Sequence, residues 1–203
     1  FVTSGVEISS TGTGASAATI TIIGTGAAGI DLDTADTLVT SVDGDILLDG
    51  NANTLEGVLI ADATISSTGT TVDAATVTLD GSSDGAVSVQ LDNGSTVTSV
   101  AGNIQLIGDS AAATANGVEL QSGSTVSSTG NGAVFASITM MGTGGTANDG
   151  IHIDGSIESV NGNIQLTGVT SNADGDDGLD LDAGQVQSTG TGTILLVGNG
   201  QTN

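Results

Sequence analysis

The sequence predicts an all-β fold, a right-handed parallel β-helix (β-solenoid) of about seven triangular coils of about 30 residues each. Three observations predict it. A unit of that length recurs along the chain, each unit holds three short apolar–polar alternations, and glycine-rich turns separate them with no helical period. The chain of 203 residues then reads as a single β-solenoid domain, with coils at approximately 1–28, 29–56, 57–84, 85–116, 117–149, 150–177 and 178–203.

The recurrence is direct. Residues 4–12 align without a gap to 122–130, and the alignment continues through 20–26 against 138–144. The first alternation, in the second to seventh units, is an apolar pair two residues apart: Ile30/Leu32, Val58/Ile60, Val89/Leu91, Val118/Leu120, Ile151/Ile153 and Leu179/Leu181. In the second, serine follows an apolar residue: Ile8/Ser10, Val39/Ser41, Ile65/Ser67, Val97/Ser99, Val126/Ser128, Ile157/Ser159 and Val186/Ser188. The third is an apolar pair closing on glycine at Gly24, Gly50, Gly81, Gly108, Gly142, Gly168 and Gly198. A period of two means an extended strand with one buried face. Three such strands per unit, without tight two-residue hairpins, give a three-sided coil whose neighbours stack as parallel strands. Crossovers between parallel strands are right-handed almost without exception.

Two further features refine the prediction. Ser10, Ser41, Ser67, Ser99, Ser128, Ser159 and Ser188 share a face with inward apolar residues, so they should form a buried serine ladder at a corner, bonded to one another or to corner carbonyls. The turn after them alternates. Coils one, three, five and seven use Ser-Thr-Gly, and coils two, four and six use Ser-Val-x-Gly-x-Ile at 41–46, 99–104 and 159–164. Coils one, three and five insert residues 13–19, 70–76 and 131–137 before the third strand, which predicts a ridge at every second coil.

Composition narrows function. There is no Lys or Arg, 23 Asp and Glu, one His, no Cys and a formal charge of −23. Phosphate neutralisation needs cationic side chains, so nucleic acid is not an expected partner, and anionic membranes are not either. No apolar run approaches the roughly 20 residues of a membrane-spanning helix. Without cysteine there is no disulfide or thiol chemistry. The charge must be screened by salt, protonated or bridged by divalent cations, which suits an extracellular or cell-surface setting. The terminal units lack a capping helix, and the start and end of the sequence approximately complete one coil. The expected partner is therefore self, head to tail through the terminal coils, or the sequence is a segment of a longer solenoid.

The seven units resemble the repeats of large secreted β-solenoid proteins, filamentous-haemagglutinin-like adhesins and autotransporter passenger stalks, in runs such as residues 117–120 and 130–132. That resemblance implies cell-surface display, attachment or a spacer role and supplies no site residues. The expected function is a structural extracellular filament subunit or stalk segment. The alternative is an adhesin module binding a host, matrix or neighbouring-cell surface, with calcium as a candidate requirement.

The candidate metal-ligating segment is the acidic run 172–182. Asp174, Asp176, Asp177, Asp180 and Asp182 on a glycine-rich turn offer several of the roughly six to eight oxygens that calcium takes. The run lacks the spacing of an EF-hand. A solvated acidic loop is the simpler expectation, and no other cofactor is expected. Asp154 and Asp182 occupy equivalent places in adjacent coils and should repel unless protonated or bridged. His152 and Asp180 are likewise equivalent, pairing the one imidazole with a carboxylate for charge relief. Enzymatic activity is not expected. Polysaccharide lyases of similar shape depend on basic residues. Polygalacturonase-like glycosidases share the paired aspartates of Gly175-Asp176-Asp177, but their companion motifs have no counterpart here. Thr19, Thr21, Thr76 and Thr78 make only a broken threonine array of the kind that binds ice, and Asn93 heads a single glycosylation sequon.

Overall fold

A computed structural model describes residues 5–132, 134–170 and 176–200. None of these residues is helical. Their strands form three parallel sheets that wind as a β-solenoid of about six turns.

The first sheet stacks β1 (Glu7–Ser10), β4 (Thr37–Ser41), β7 (Ala63–Ser67), β10 (Thr96–Ser99), β13 (Thr125–Ser128), β16 (Ser156–Ser159) and β19 (Gln185–Ser188). The second stacks β2 (Ile20–Gly26), β5 (Ile46–Ala52), β8 (Val77–Ser83), β11 (Ile104–Ser110), β14 (Ile138–Gly144), β17 (Ile164–Thr170) and β20 (Ile194–Asn199). The third stacks β3 (Ile30–Leu32), β6 (Val58–Ala61), β9 (Val89–Asp92), β12 (Val118–Leu120), β15 (Ile151–Ile153) and β18 (Leu179–Leu181). Every pairing within these sheets is parallel, and each strand meets its counterpart one coil on.

The register explains the core. Val39, Ile65, Val97, Val126 and Ile157 lie directly over one another, as do Leu48, Leu79, Leu106, Met140 and Leu166 in the second sheet. These side chains are at most 1% exposed. Burying each aliphatic group contributes about 1.5–3 kcal/mol. The spine is thus built from like residues stacked on like, which is why an irregular repeat length is tolerated: the length variation falls in the turns.

The glycines closing the third strand do not end it. Each strand of the second sheet continues past its glycine, Gly24 within Ile20–Gly26 for example, and these residues are paired in register along the stack. The reason is steric and unrelated to turning. A Cβ on Gly24, Gly50, Gly81, Gly108, Gly142 or Gly168 would collide with the carbonyl of the residue leading into the next strand, respectively Gly29, Gly57, Ser88, Gly117, Gly150 and Gly178. Backbone passes backbone at this edge, and only glycine fits. Left-handed corners occur elsewhere, before strands of the first sheet, at Gly5, Asp36, Asp62, Asn93, Gly94 and Gly123. The non-glycine occupants are Asp and Asn, the types that tolerate this conformation.

The serine ladder is present. Ser41, Ser67, Ser99, Ser128 and Ser159 are at most 2% exposed, and Ser10 is 9% exposed. Where these hydroxyls bond, they donate to corner carbonyls: Ser10 to Ala18 at 2.7 Å, Ser128 to Ala136 at 2.8 Å, Ser159 to Gly162 at 2.7 Å, and Ser99 to Gly102. The Oγ atoms of Ser41, Ser67 and Ser188 have no partner. The even-coil turn carries a second device that was not anticipated. The residue before its third strand, Asp45, Asn103 or Asn163, accepts a bond at 2.9–3.0 Å from the backbone N–H of Thr76, Ser137 or Thr193 one coil on. All three positions are Asp or Asn because a short acceptor is needed to cap the neighbouring backbone. The inserted segments bulge from the same corner at Val72 and Phe135, 80% and 40% exposed, while Ala75 and Ala136 within them are fully buried.

Candidate metal centre

The third sheet aligns one outward position through the stack: Asp31, Leu59, Gln90, Glu119, His152 and Asp180. His152 sits on β15 between the buried Ile151 and Ile153, so period-two alternation turns its ring outward. Parallel register places Asp180 of β18 directly opposite. The expected pairing forms: His152 Nδ1 lies 2.9 Å from Asp180 Oδ2.

Two more carboxylates converge on the ring. Asp149 Oδ2 is 3.5 Å from Nδ1, and Asp154 Oδ2 is 3.5 Å from Nε2 on the other side. Both aspartates are held by the next coil. Asp149 Oδ1 accepts from the backbone N–H of Asp177 at 2.9 Å, and Asp154 Oδ1 accepts from that of Ala183 at 3.2 Å. Asp149 is fixed from the preceding coil too, because its own N–H donates to Asn116 Oδ1 at 3.0 Å. Each carboxylate therefore spends one oxygen on backbone and turns the other toward the imidazole. Glu119, one coil before His152, is occupied differently: Asn116 Nδ2 and Gln121 Nε2 donate to it at 2.9 and 3.1 Å.

The electrostatics follow from this crowding. Burial works to lower the pKa of His152, but the charge of Asp154, the hydrogen bond and charge of Asp180, and the charge of Glu119 outweigh it and hold the imidazole above its usual value. Burial raises the carboxyl of Asp149; Asp180 and Asp176 add to the rise, while the Asp177 N–H and His152 oppose it. Away from the cluster, Asp31 is raised by burial and then by Asp33 and Glu56, and its Oδ1 is buried without a partner. Asp80 is raised by burial and then by Asp49, its partner in the coil before.

Asp149, His152 and Asp180 are the one group of three potential ligands among the described residues whose donor atoms all lie within 4.8 Å of one another. Of the five aspartates in the acidic run, Asp180 joins this group. Asp176 and Asp177 precede β18, with Asp177 exposed and its backbone bonded to Asp149; Asp182 is exposed beyond the strand. Asp174 lies outside the described residues. Asp154 and Asp182 are not brought together with a third ligand; Asp154 turns to His152 and to the Ala183 N–H instead. Sequence reasoning missed Asp149. The signal was there, since Asp149-Gly150-Ile151 repeats as Asp177-Gly178-Leu179 in the following coil.

The chain matches no protein-family model, no curated protein and no solved structure. Its reading therefore rests on its own geometry.

Proposed function

We propose that this chain is a structural rod, a filament subunit or stalk segment working outside the cell, and not an enzyme. The observation that carries the reading is the unbroken register of the stack. Each strand repeats the inward residues of the one below, so coils can be added without changing the interface. The outer strands keep that pattern. Ile194, Leu196 and Gly198 of β20 repeat the positions of Ile20, Ile22 and Gly24 in β2, and Val186 and Ser188 of β19 repeat Ile8 and Ser10 in β1. Ile194 and Leu196 are 42% and 43% exposed, an apolar ledge ready for another coil from a second copy or from further polypeptide. Six rises of about 4.8 Å give a segment roughly 30 Å long. The absence of Lys and Arg removes every trypsin-type cleavage site, which favours persistence in a protease-rich exterior.

The test is negative-stain microscopy of the purified chain across a concentration series. Rods that lengthen end to end support the reading; dispersed particles at high concentration refute its self-assembling form. A second reading, an adhesin module, draws on the exposed Val72 and Phe135 at the tips of the inserted ridges. It expects saturable binding to a host or matrix surface that is lost when 13–19, 70–76 and 131–137 are shortened.

A further inference from the structure

We propose that Asp149, His152 and Asp180 form a binding site for one divalent first-row transition ion of the zinc type, which staples consecutive coils of the rod. The donor set is one imidazole nitrogen and two carboxylate oxygens within 4.8 Å of one another. This set suits zinc and its neighbours; calcium takes oxygen ligands alone and in greater number.

Two of the three ligand spacings, those from Nδ1, are near what such an ion requires. A tetrahedral ion at about 2.0–2.1 Å from nitrogen and about 2.0–2.2 Å from oxygen keeps its ligand atoms about 3.4 Å apart. Nδ1 to Asp149 Oδ2 is already 3.5 Å, and Nδ1 to Asp180 Oδ2, at 2.9 Å, has to open by only about 0.5 Å. The surroundings match the way proteins orient metal ligands. The second ring nitrogen, Nε2, faces Asp154 Oδ2 at 3.5 Å, so an ion that takes the place of the Nδ1 proton now held against Asp180 would leave the remaining ring N–H directed at a carboxylate. Asp149 is clamped by backbone and amide groups from the coils on both sides. The imidazole distinguishes this place from the chain's many acidic patches, which offer oxygen alone.

The ion would act across coils. Asp149 and His152 flank and occupy β15, and Asp180 belongs to β18 in the next coil, so a bound ion joins two rungs. It also answers the local charge, since four carboxylates (Asp149, Asp154, Asp180 and Glu119) surround one imidazole in a chain with no Lys or Arg. This inference is independent of the mechanical role: a rod without the ion is still a rod.

The chain holds a single histidine, so its ring protons report on the site without any variant. The chelator-treated chain is titrated with Zn2+ at about neutral pH, where metal competes well with protons, while the imidazole NMR signals and metal content are followed. The expected result is one equivalent bound with saturating shifts of the ring signals. His152→Ala and Asp180→Asn should weaken binding at least tenfold. Asp109→Asn, which removes an exposed charge on β11, should leave it within about twofold. Ca2+ alone at the same concentration should not shift the ring. The proposal is overturned if no zinc binds, if zinc binds without moving the imidazole signals, or if His152→Ala binds it as tightly as the parent chain.

Discussion

Substituting Gly108 by alanine tests the steric origin of the glycine column. The added Cβ would strike the Gly117 carbonyl, lying 2.5 Å from its carbon and 3.0 Å from Val118 Cγ2. Carbon atoms rest comfortably at about 3.5–4.0 Å, so the backbone must yield by about 1 Å. Neither side is free to move, because β11 is paired in register to β8 and β14 and Val118 is fully buried. The cost should lie at the upper end of core overpacking, about 3 kcal/mol. For a chain of this length that lowers the thermal midpoint by about 6–12 °C. The control is Gly132→Ala, where a Cβ would meet nothing within 4 Å; it should change stability by less than about 0.5 kcal/mol. Thermal unfolding followed by circular dichroism compares the two. Equal midpoints for Gly108→Ala and Gly132→Ala would refute the steric account and restore these glycines as turn formers.

Other outcomes follow from the same contacts. Ser128→Ala removes the 2.8 Å bond to the Ala136 carbonyl and should cost about 1–3 kcal/mol in denaturant unfolding, whereas Ser67→Ala removes a buried hydroxyl with no partner and should be neutral or stabilising. Asp45→Ala forfeits the cap on the Thr76 N–H and should lower stability by about 1 kcal/mol, with Asp45→Asn retaining most of it. Asp31 and Asp80 bind their protons more tightly when folded, so the stability they contribute is complete below the unfolded carboxyl pKa and is lost as pH rises through the raised folded value. With chelator present, the thermal midpoint should therefore rise as pH falls from neutrality toward about 4, the reverse of ordinary acid denaturation. Added salt at neutral pH should raise it too, because screening relieves a charge of −23. A midpoint that falls with acid or salt would contradict this reading.

The architecture was legible because inward positions alternate strictly and recur with the same residue types; Val39, Ile65, Val97, Val126 and Ile157 announce their own stacking. The pairing of His152 with Asp180 followed from the same alignment. Three things were harder to read. Glycine is ambiguous in sequence, since it serves left-handed corners such as Gly123 and close backbone approach such as Gly108, and only the coordinates separate the two. A run of aspartates is not a cluster in space. Asp180 lies inside β18 and is held in register against a histidine 28 residues away, while Asp182 falls past the end of the strand and stays exposed. Asp149 is hard to read because its carboxylate is aimed at His152 by contacts from two other coils, the Asn116 side chain before it and the Asp177 amide after it.

Diffraction from an oriented, concentrated sample of the chain tests the central claim most directly. Coils stacked along the rod, continuing from one copy to the next, predict a reflection at about 4.8 Å parallel to the filament axis. Strands running along the axis would place that spacing perpendicular to it, and such a pattern would contradict the account.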